Sequence, residues 1–168
     1  LNLTNVTIDH NGKSNGVGGG IYNQAEITLI NTTISSNIAA DGSGLYSEET
    51  AYLQNVTLYQ NQSNVDGAGL INSLSGTLEM VNTIIANKFG QPNCDGVFNS
   101  QGYNLSSDAT CDLTHISDIQ NLDPLLGALE DNGGETLTHA LQLGSAAVDA
   151  GNDQICLPYD QRHFSRPA

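Results

Sequence analysis

The chain has 168 residues, enough for one domain with a core of its own. It carries 18 acidic residues against 4 basic ones, a formal net charge of −14, which excludes nucleic acid and an anionic membrane surface as partners. Only 13% of residues are charged, which excludes a disordered acidic tail, and no apolar run approaches the roughly 18 residues of a membrane-spanning helix.

Taken in order, the chain repeats itself. Gly18-Gly19-Gly20-Ile21-Tyr22-Asn23 returns as Gly42-Ser43-Gly44-Leu45-Tyr46-Ser47, as Gly67-Ala68-Gly69-Leu70-Ile71-Asn72 and, more weakly, as Cys94-Asp95-Gly96-Val97-Phe98-Asn99. A second signature runs in the same register: Thr7-Ile8-x-x-Asn11, Thr33-Ile34-x-x-Asn37, Thr57-Leu58-x-x-Asn61 and Thr83-Ile84-x-x-Asn87. Two motifs sharing one period of roughly 25 residues point to a solenoid. Short runs of Val, Ile and Leu separated by Thr and Asn are strand-like. Before position 113 no window carries apolar residues at helical spacing. A leucine-rich repeat has no place for the Gly-x-Gly strand. The expectation is an all-β parallel β-helix of two or three short strands per coil.

Residues 1–26, 27–50, 51–76 and 77–101 read as successive coils. Coils stack about 4.8 Å apart, so equivalent residues form columns. Ile8, Ile34, Leu58 and Ile84 are expected to make one inward column, and Ile21, Leu45, Leu70 and Val97 another. Asn11, Asn37, Asn61 and Asn87 are expected at a sharp corner, where Asn tolerates the left-handed conformation and stacked amides can bond from coil to coil. Insertions fall at Gly12–Val17, Ile38–Asp41, Gln62–Asp66 and Lys88–Asn93, the natural place for variation or function. Gly102-Tyr103-Asn104-Leu105 opens a last, degenerate coil, so residues 1–112 form the coils and 113–168 a capping region of the same domain. Within that region 116–129 reads as irregular or briefly helical, 131–134 as a turn and 136–141 as a strand. A cap is expected because a solenoid end exposes unpaired strand edges.

Cys94 and Cys111 lie 17 apart around the end of the repeats, a spacing that suits a disulfide in an exported protein; three buried thiols are the alternative. Cys156 has no evident partner in the sequence, and no Cys or His spacing resembles a zinc site. No starting Met or signal peptide precedes Leu1, which falls inside a repeat, so the chain reads as a processed piece of a longer protein.

The C-terminal part carries a more specific signal. Asp123-Pro124-Leu125-Leu126-Gly127, Asp131-Asn132-Gly133-Gly134-x-Thr136-x-Thr138-His139-Ala140-Leu141, Gly144-Ser145-Ala146-Ala147-Val148-Asp149-Ala150-Gly151 and Asp160-Gln161-Arg162 with Arg166-Pro167 resemble the C-terminal region of the choice-of-anchor Q and CSLREA-type bacterial surface proteins. The Gly-rich repeats and Gly102-Tyr103-Asn104-Leu105 with the following Cys111 fit the same pattern. The resemblance implies a right-handed, pectate-lyase-like β-helix that is exported and held at the cell surface or secreted, with no generally established enzymatic activity. The chain departs from the pattern at His163, where the family usually has Gly, and it stops at Ala168, before the family's usual Cys-containing continuation. The partner of Cys156 and any anchoring signal would belong to that continuation.

Enzymatic readings meet few of their requirements. A pectin-degrading β-helix needs clustered carboxylates with a basic residue on one strand face. The positions beside the Asn column are Asp9-His10, Ser35-Ser36, Tyr59-Gln60 and Ile85-Ala86, with one carboxylate and no Lys or Arg. No catalytic residue and no cofactor is therefore assigned. Asp41 and Asp66 each stand three residues before a repeat glycine and could stack as a Ca2+ pair, or cap turn amides separately. Tyr22, Tyr46, Ile71 and Phe98 would form a strip that either stacks on sugar rings or is a self-stacking ladder. Six Asn-x-Ser/Thr sequons, at Asn2, Asn5, Asn31, Asn55, Asn61 and Asn104, read as byproducts of the repeat. His139 is expected to be a hydrogen-bonding structural residue and Arg162 to pair with Asp160 or a nearby cap carboxylate. The expected function is non-enzymatic: a secreted or cell-surface structural or adhesive β-helix that assembles with itself into fibres or meets a surface glycan. A carbohydrate-binding or polysaccharide-degrading β-helix is the alternative.

Overall fold

A computed structural model describes residues 1–12, 14–63, 68–73, 75–87 and 90–166. Among them every regular element is a strand. Parallel strands stack as a β-solenoid of about four turns. Two long strands dominate, Ile27–Ser35 and Ala51–Tyr59, paired in parallel along nearly their whole length. Each bends at a left-handed Asn, Asn31 with φ 46° and Asn55 with φ 54°. The bend splits every coil into two faces of one sheet. On the far side of it Thr7, Thr33 and Thr57 lie in register. A second, four-stranded sheet stacks Ile21–Asn23, Leu45–Ser47, Leu70–Asn72 and Cys94–Asp95.

The ladder residues sit where the repeats placed them, for a different backbone reason. The left-handed corner residues are His10, Ser36 and Gln60, one position before the ladder, together with Asn5, Asn31, Asn55 and Asn82 at the other bend. The ladder Asn are used for their amides: Asn37 Oδ1 accepts from the Asn11 N–H at 2.9 Å, and Asn61 Oδ1 accepts from the Asn37 N–H at 3.1 Å. Asn37 Nδ2 and Asn61 Nδ2 donate to the carbonyls of Ile8 and Ile34, two turns of hydrogen bonding from one side chain. The expected loop segments also stack in part, since Ile38–Ala39 pairs with Gln62–Ser63 and Gly12 bridges to Ile38.

The interior is a column of fully buried aliphatics, among them Leu29, Ile34, Leu45, Leu53, Leu58, Leu70 and Met80. Two expected column members are corrected. Thr57 pairs with Ile84 and Leu58 with Ile85, so Ile85 (0% exposed) and not Ile84 continues the inward column. Leu70 pairs with Cys94, which puts Val97 outside at 77% exposure. Phe98 leaves the Tyr22 column altogether and packs under Leu78. The cause is shortening: Leu78 stacks on Phe98 after 20 residues and Leu105 on Ile119 after 14, so the lower coils have lost the corner and loop that the upper ones keep. The tapering core ends on the Cys94–Cys111 disulfide, with Cα atoms 4.8 Å apart and both residues buried.

Ile119–Gln120 adds the last parallel strand to Leu105–Ser106 and covers that edge. The chain then turns back along the side of the stack. The antiparallel hairpin Leu126–Glu130 with Thr138–Leu141 lies across the Thr7/Thr33 face, where the Thr7 hydroxyl donates to the Leu137 carbonyl at 2.6 Å. Residues 146–166 form a strap running from the lower coils to the uppermost. Its small apolar part, Ala147, Ala150 and Gly151, lies against Ile84, Leu105 and Ile119 around a cavity of about 80 Å³. Further on, the Asn31 carboxamide donates to the Tyr159 carbonyl at 3.1 Å, Arg166 Nη1 donates to Asn31 Oδ1 at 3.1 Å, and Asn5 meets His163 at 3.4 Å.

Candidate functional site

The outward column Asp9, Ser35, Tyr59 and Ala86 is formed as the register requires. Strands alternate their side chains, so placing Ile34 and Leu58 inside points Ser35 and Tyr59 outward. The hairpin then brings His139 onto this column. Its Nε2 lies 2.9 Å from the Ser35 hydroxyl, its Nδ1 2.8 Å from the Gly127 carbonyl, and its ring stands edge-on to Tyr59 at 4.7 Å. Burial holds the imidazole below its ordinary pKa, against the opposing pull of the Gly127 and Ala128 backbone. A Ser–His pair of this kind is the start of a nucleophilic site, but Ser35 is fully buried and the His is oriented by a carbonyl rather than a carboxylate. Its geometry pins the hairpin to the solenoid.

Beside this column lies a groove of about 1150 Å³. Ser36, Tyr59 and Gln60 line it from the corner of the upper coils, Ala86 and Pro92 from the shortened fourth coil, and Asp108 and Asp123 from below. The short strand pair Ile38–Ala39 and Gln62–Ser63 forms one end of the groove. The Gln91 side chain bonds the backbone of this pair: its Oε1 accepts the Ser63 N–H at 3.0 Å and its Nε2 donates to the Ser63 carbonyl. Asn93 then joins the Asn ladder, accepting the Asn87 N–H at 2.7 Å and donating to the Ile85 carbonyl at 3.0 Å.

The two groove carboxylates differ. Asp108 is tied up: one oxygen accepts the Asn93 N–H at 2.9 Å and the other accepts the Thr110 N–H and hydroxyl at 3.0 and 2.7 Å. Among the described residues Asp123 accepts only the Leu125 N–H, through Oδ1. Among the described residues the Gln60 carboxamide and the Tyr59 hydroxyl make no hydrogen bond, so both are available in the groove.

Of the proposed Ca2+ pair, Asp66 lies outside the described residues, as do Gly67, Lys88 and Pro167. The Asp41 carboxyl is raised from its ordinary value, first by burial and then by the charge of Asp95, and among the described residues its Oδ1 is buried without a partner. No cluster of three or more His, Cys, Asp or Glu able to hold a metal occurs among the described residues. The Tyr22 strip is not an open platform. Tyr22 and Tyr46 meet edge-to-face at 5.8 Å, the Tyr22 hydroxyl donates to Glu48 at 2.8 Å, and Ile71 is buried. Arg162 pairs with Asp160 at 2.6 Å as expected, and Cys156 is a half-buried free thiol.

Sequence reasoning missed the role of the sequon Asn residues. Asn31 Nδ2 donates to Asn5 Oδ1 at 3.2 Å and Asn55 Nδ2 to Asn31 Oδ1 at 3.3 Å, a second ladder on which the strap docks. Their exact phase was the available signal. Gln91 lies in the 88–93 insertion that marked a place for function and Asp123 opens the C-terminal motif, but neither repeats, so nothing in the sequence placed them in one groove. No family model matches the chain, and neither a curated protein nor a solved structure does. No helix among the described residues is long and apolar enough to cross a membrane.

Proposed function

We propose that the chain is a non-enzymatic structural or adhesive module of the cell surface or extracellular space. The observation that carries this reading is the state of the chemistry-bearing groups. The Ser35–His139 pair is sealed under the hairpin, and Asp108 is consumed by backbone and Thr110 contacts. What stays open is a broad groove with free amide, hydroxyl and carboxylate groups, suited to holding a ligand rather than to moving protons. The disulfide at the base of the core supports an oxidising compartment. The kinship to choice-of-anchor Q and CSLREA-type surface proteins, suggested by the C-terminal motifs, belongs to this same proposal.

The test is retention of protein-coated beads on intact cells, run beside product release from a panel of plant and microbial polysaccharides. Retention without product release is the expected outcome. Product release abolished by His139→Ala would replace the adhesive reading with the polysaccharide-degrading one. Self-assembly into fibres is a separate branch of the proposal, checked by negative-stain electron microscopy with and without Ca2+. Ordered fibres favour a structural role and dispersed particles an adhesive one.

A further inference from the structure

We infer that the groove beside the third-coil corner binds a neutral oligosaccharide, with Tyr59, Gln60 and Asp123 as the side chains that meet it. This inference rests on the adhesive reading and names its ligand class.

Size comes first. At about 1150 Å³ the groove exceeds the roughly 300–1,000 Å³ typical of clefts for a single small molecule, which favours an oligomer. Its chemistry is amphipathic. Ile38, Ala86, Pro92 and the Tyr59 ring give apolar surface, while Gln60 and Asp123 present free donors and acceptors. A sugar ring has the matching character, apolar C–H faces with a rim of hydroxyls.

Charge selects among sugar chains. Among the described residues the charged groups lining the groove are two carboxylates, Asp108 and Asp123, and the chain carries a net charge of −14. Both repel a polyuronate or a sulfated chain. An extended peptide would bind by adding a strand to an open sheet edge. Among the described residues the short sheet reaching the groove is Ile38–Ala39 with Gln62–Ser63, and its two sides are already taken, by the Gln91 carboxamide on Ser63 and by Gly12 on Ile38. A neutral glycan needs neither charge nor a free strand edge.

The experiment probes the full chain on a printed array of neutral and uronic-acid glycans, then titrates the strongest neutral hit by calorimetry. Binding confined to neutral glycans is expected. Gln60→Gly suits the left-handed backbone at that position, φ 54°, and Tyr59→Phe keeps the ring on His139. Each should weaken binding about three- to tenfold, the worth of one hydrogen bond. Circular dichroism of both variants confirms that the solenoid is intact. Absence of any neutral hit, preference for uronic acids or peptides, or unchanged affinity in the Gln60→Gly/Tyr59→Phe double variant overturns the inference. If beads still adhere to cells in any of those cases, the groove assignment fails while the adhesive reading stands. Glycan binding without adhesion has the reverse meaning.

Discussion

Gly44 lies against the Asn61 carboxamide: a Cβ on Gly44 would stand 3.0 Å from Asn61 Nδ2. Gly20 stands in the same relation to Asn37, at 3.1 Å, and Gly69 to Asn87. The two repeat motifs are therefore one device. Each Asn amide of the ladder needs a residue without a side chain across the coil interior, so the Asn and the second Gly of Gly-x-Gly must recur together. Gly18 and Gly42, with φ of 65° and 56°, make the turn into that strand, while Gly20 and Gly44 give the close approach.

Gly44→Ala should accordingly destabilise the fold by about 1–3 kcal/mol through overpacking. Asn61→Ala should cost about 3 kcal/mol, because it strands the buried Ile34 carbonyl and the Asn37 N–H. In the double variant the contact with the Asn61 carboxamide disappears and only that with the Gly69 carbonyl, at 3.1 Å, remains, so the double variant should cost less than the sum of the two singles. Equilibrium urea denaturation of the four proteins checks the coupling.

Gln161 ties the strap to the first two coils. Its Oε1 accepts the Thr33 hydroxyl at 2.8 Å, and its Nε2 reaches the Val6 carbonyl at 3.2 Å and Thr136 Oγ1 at 3.0 Å. Gln161→Ala should cost about 2–3 kcal/mol by orphaning buried polar groups. Gln161→Glu should not rescue it, since a carboxylate cannot donate to the Val6 carbonyl. Limited proteolysis should cut both variants first within 146–166, with the coils surviving as a resistant fragment.

The disulfide closes a loop of 17 residues, a constraint worth about 3 kcal/mol. A Cys94→Ala/Cys111→Ala variant should lose about that much, and dithiothreitol should lower the Tm of the parent chain but not of the variant. Thiol titration of the unreduced, denatured parent should find Cys156 alone.

His139 predicts a pH dependence. Burial lowers its folded pKa below the ordinary value of 6.5. The unfolded chain then binds the proton more readily, so this contribution to stability is complete above about pH 6.5 and is lost as the pH falls from there through the lowered folded value. Unfolding free energies measured from about pH 7.5 down to about pH 5 should fall less steeply for His139→Gln than for the parent.

The coil fold was legible because a solenoid repeats its physics in sequence. Strand composition, the Thr-Ile-x-x-Asn phase and the Gly-x-Gly phase each report a column, and the Cys94–Cys111 pairing followed from their places at the end of the repeats. Legibility faded where repetition did. The one-residue slip that puts Ile85 inside and the replacement of Val97 by Cys94 both come from coils that shorten, and a motif match cannot register a missing corner. The insertions at 38–41, 62–66 and 88–93 were legible as places for function, but their meeting with Asp108 and Asp123 in one groove was not, since those carboxylates belong to unrepeated segments.

By itself the sequence determined the architecture: parallel stacking demands that each coil satisfy the next, so the period, the ladder Asn and the aliphatic columns are written into every turn. Tertiary structure alone decided what the C-terminal third does. Its contacts, Gln161 to Thr33, Tyr159 to Asn31 and His139 to Ser35, span more than 100 residues and depend on which outer face the register exposes. No local pattern encodes such a distance. The strap, the sealing of Ser35 and the groove left open beside Tyr59 exist only once the coils are stacked.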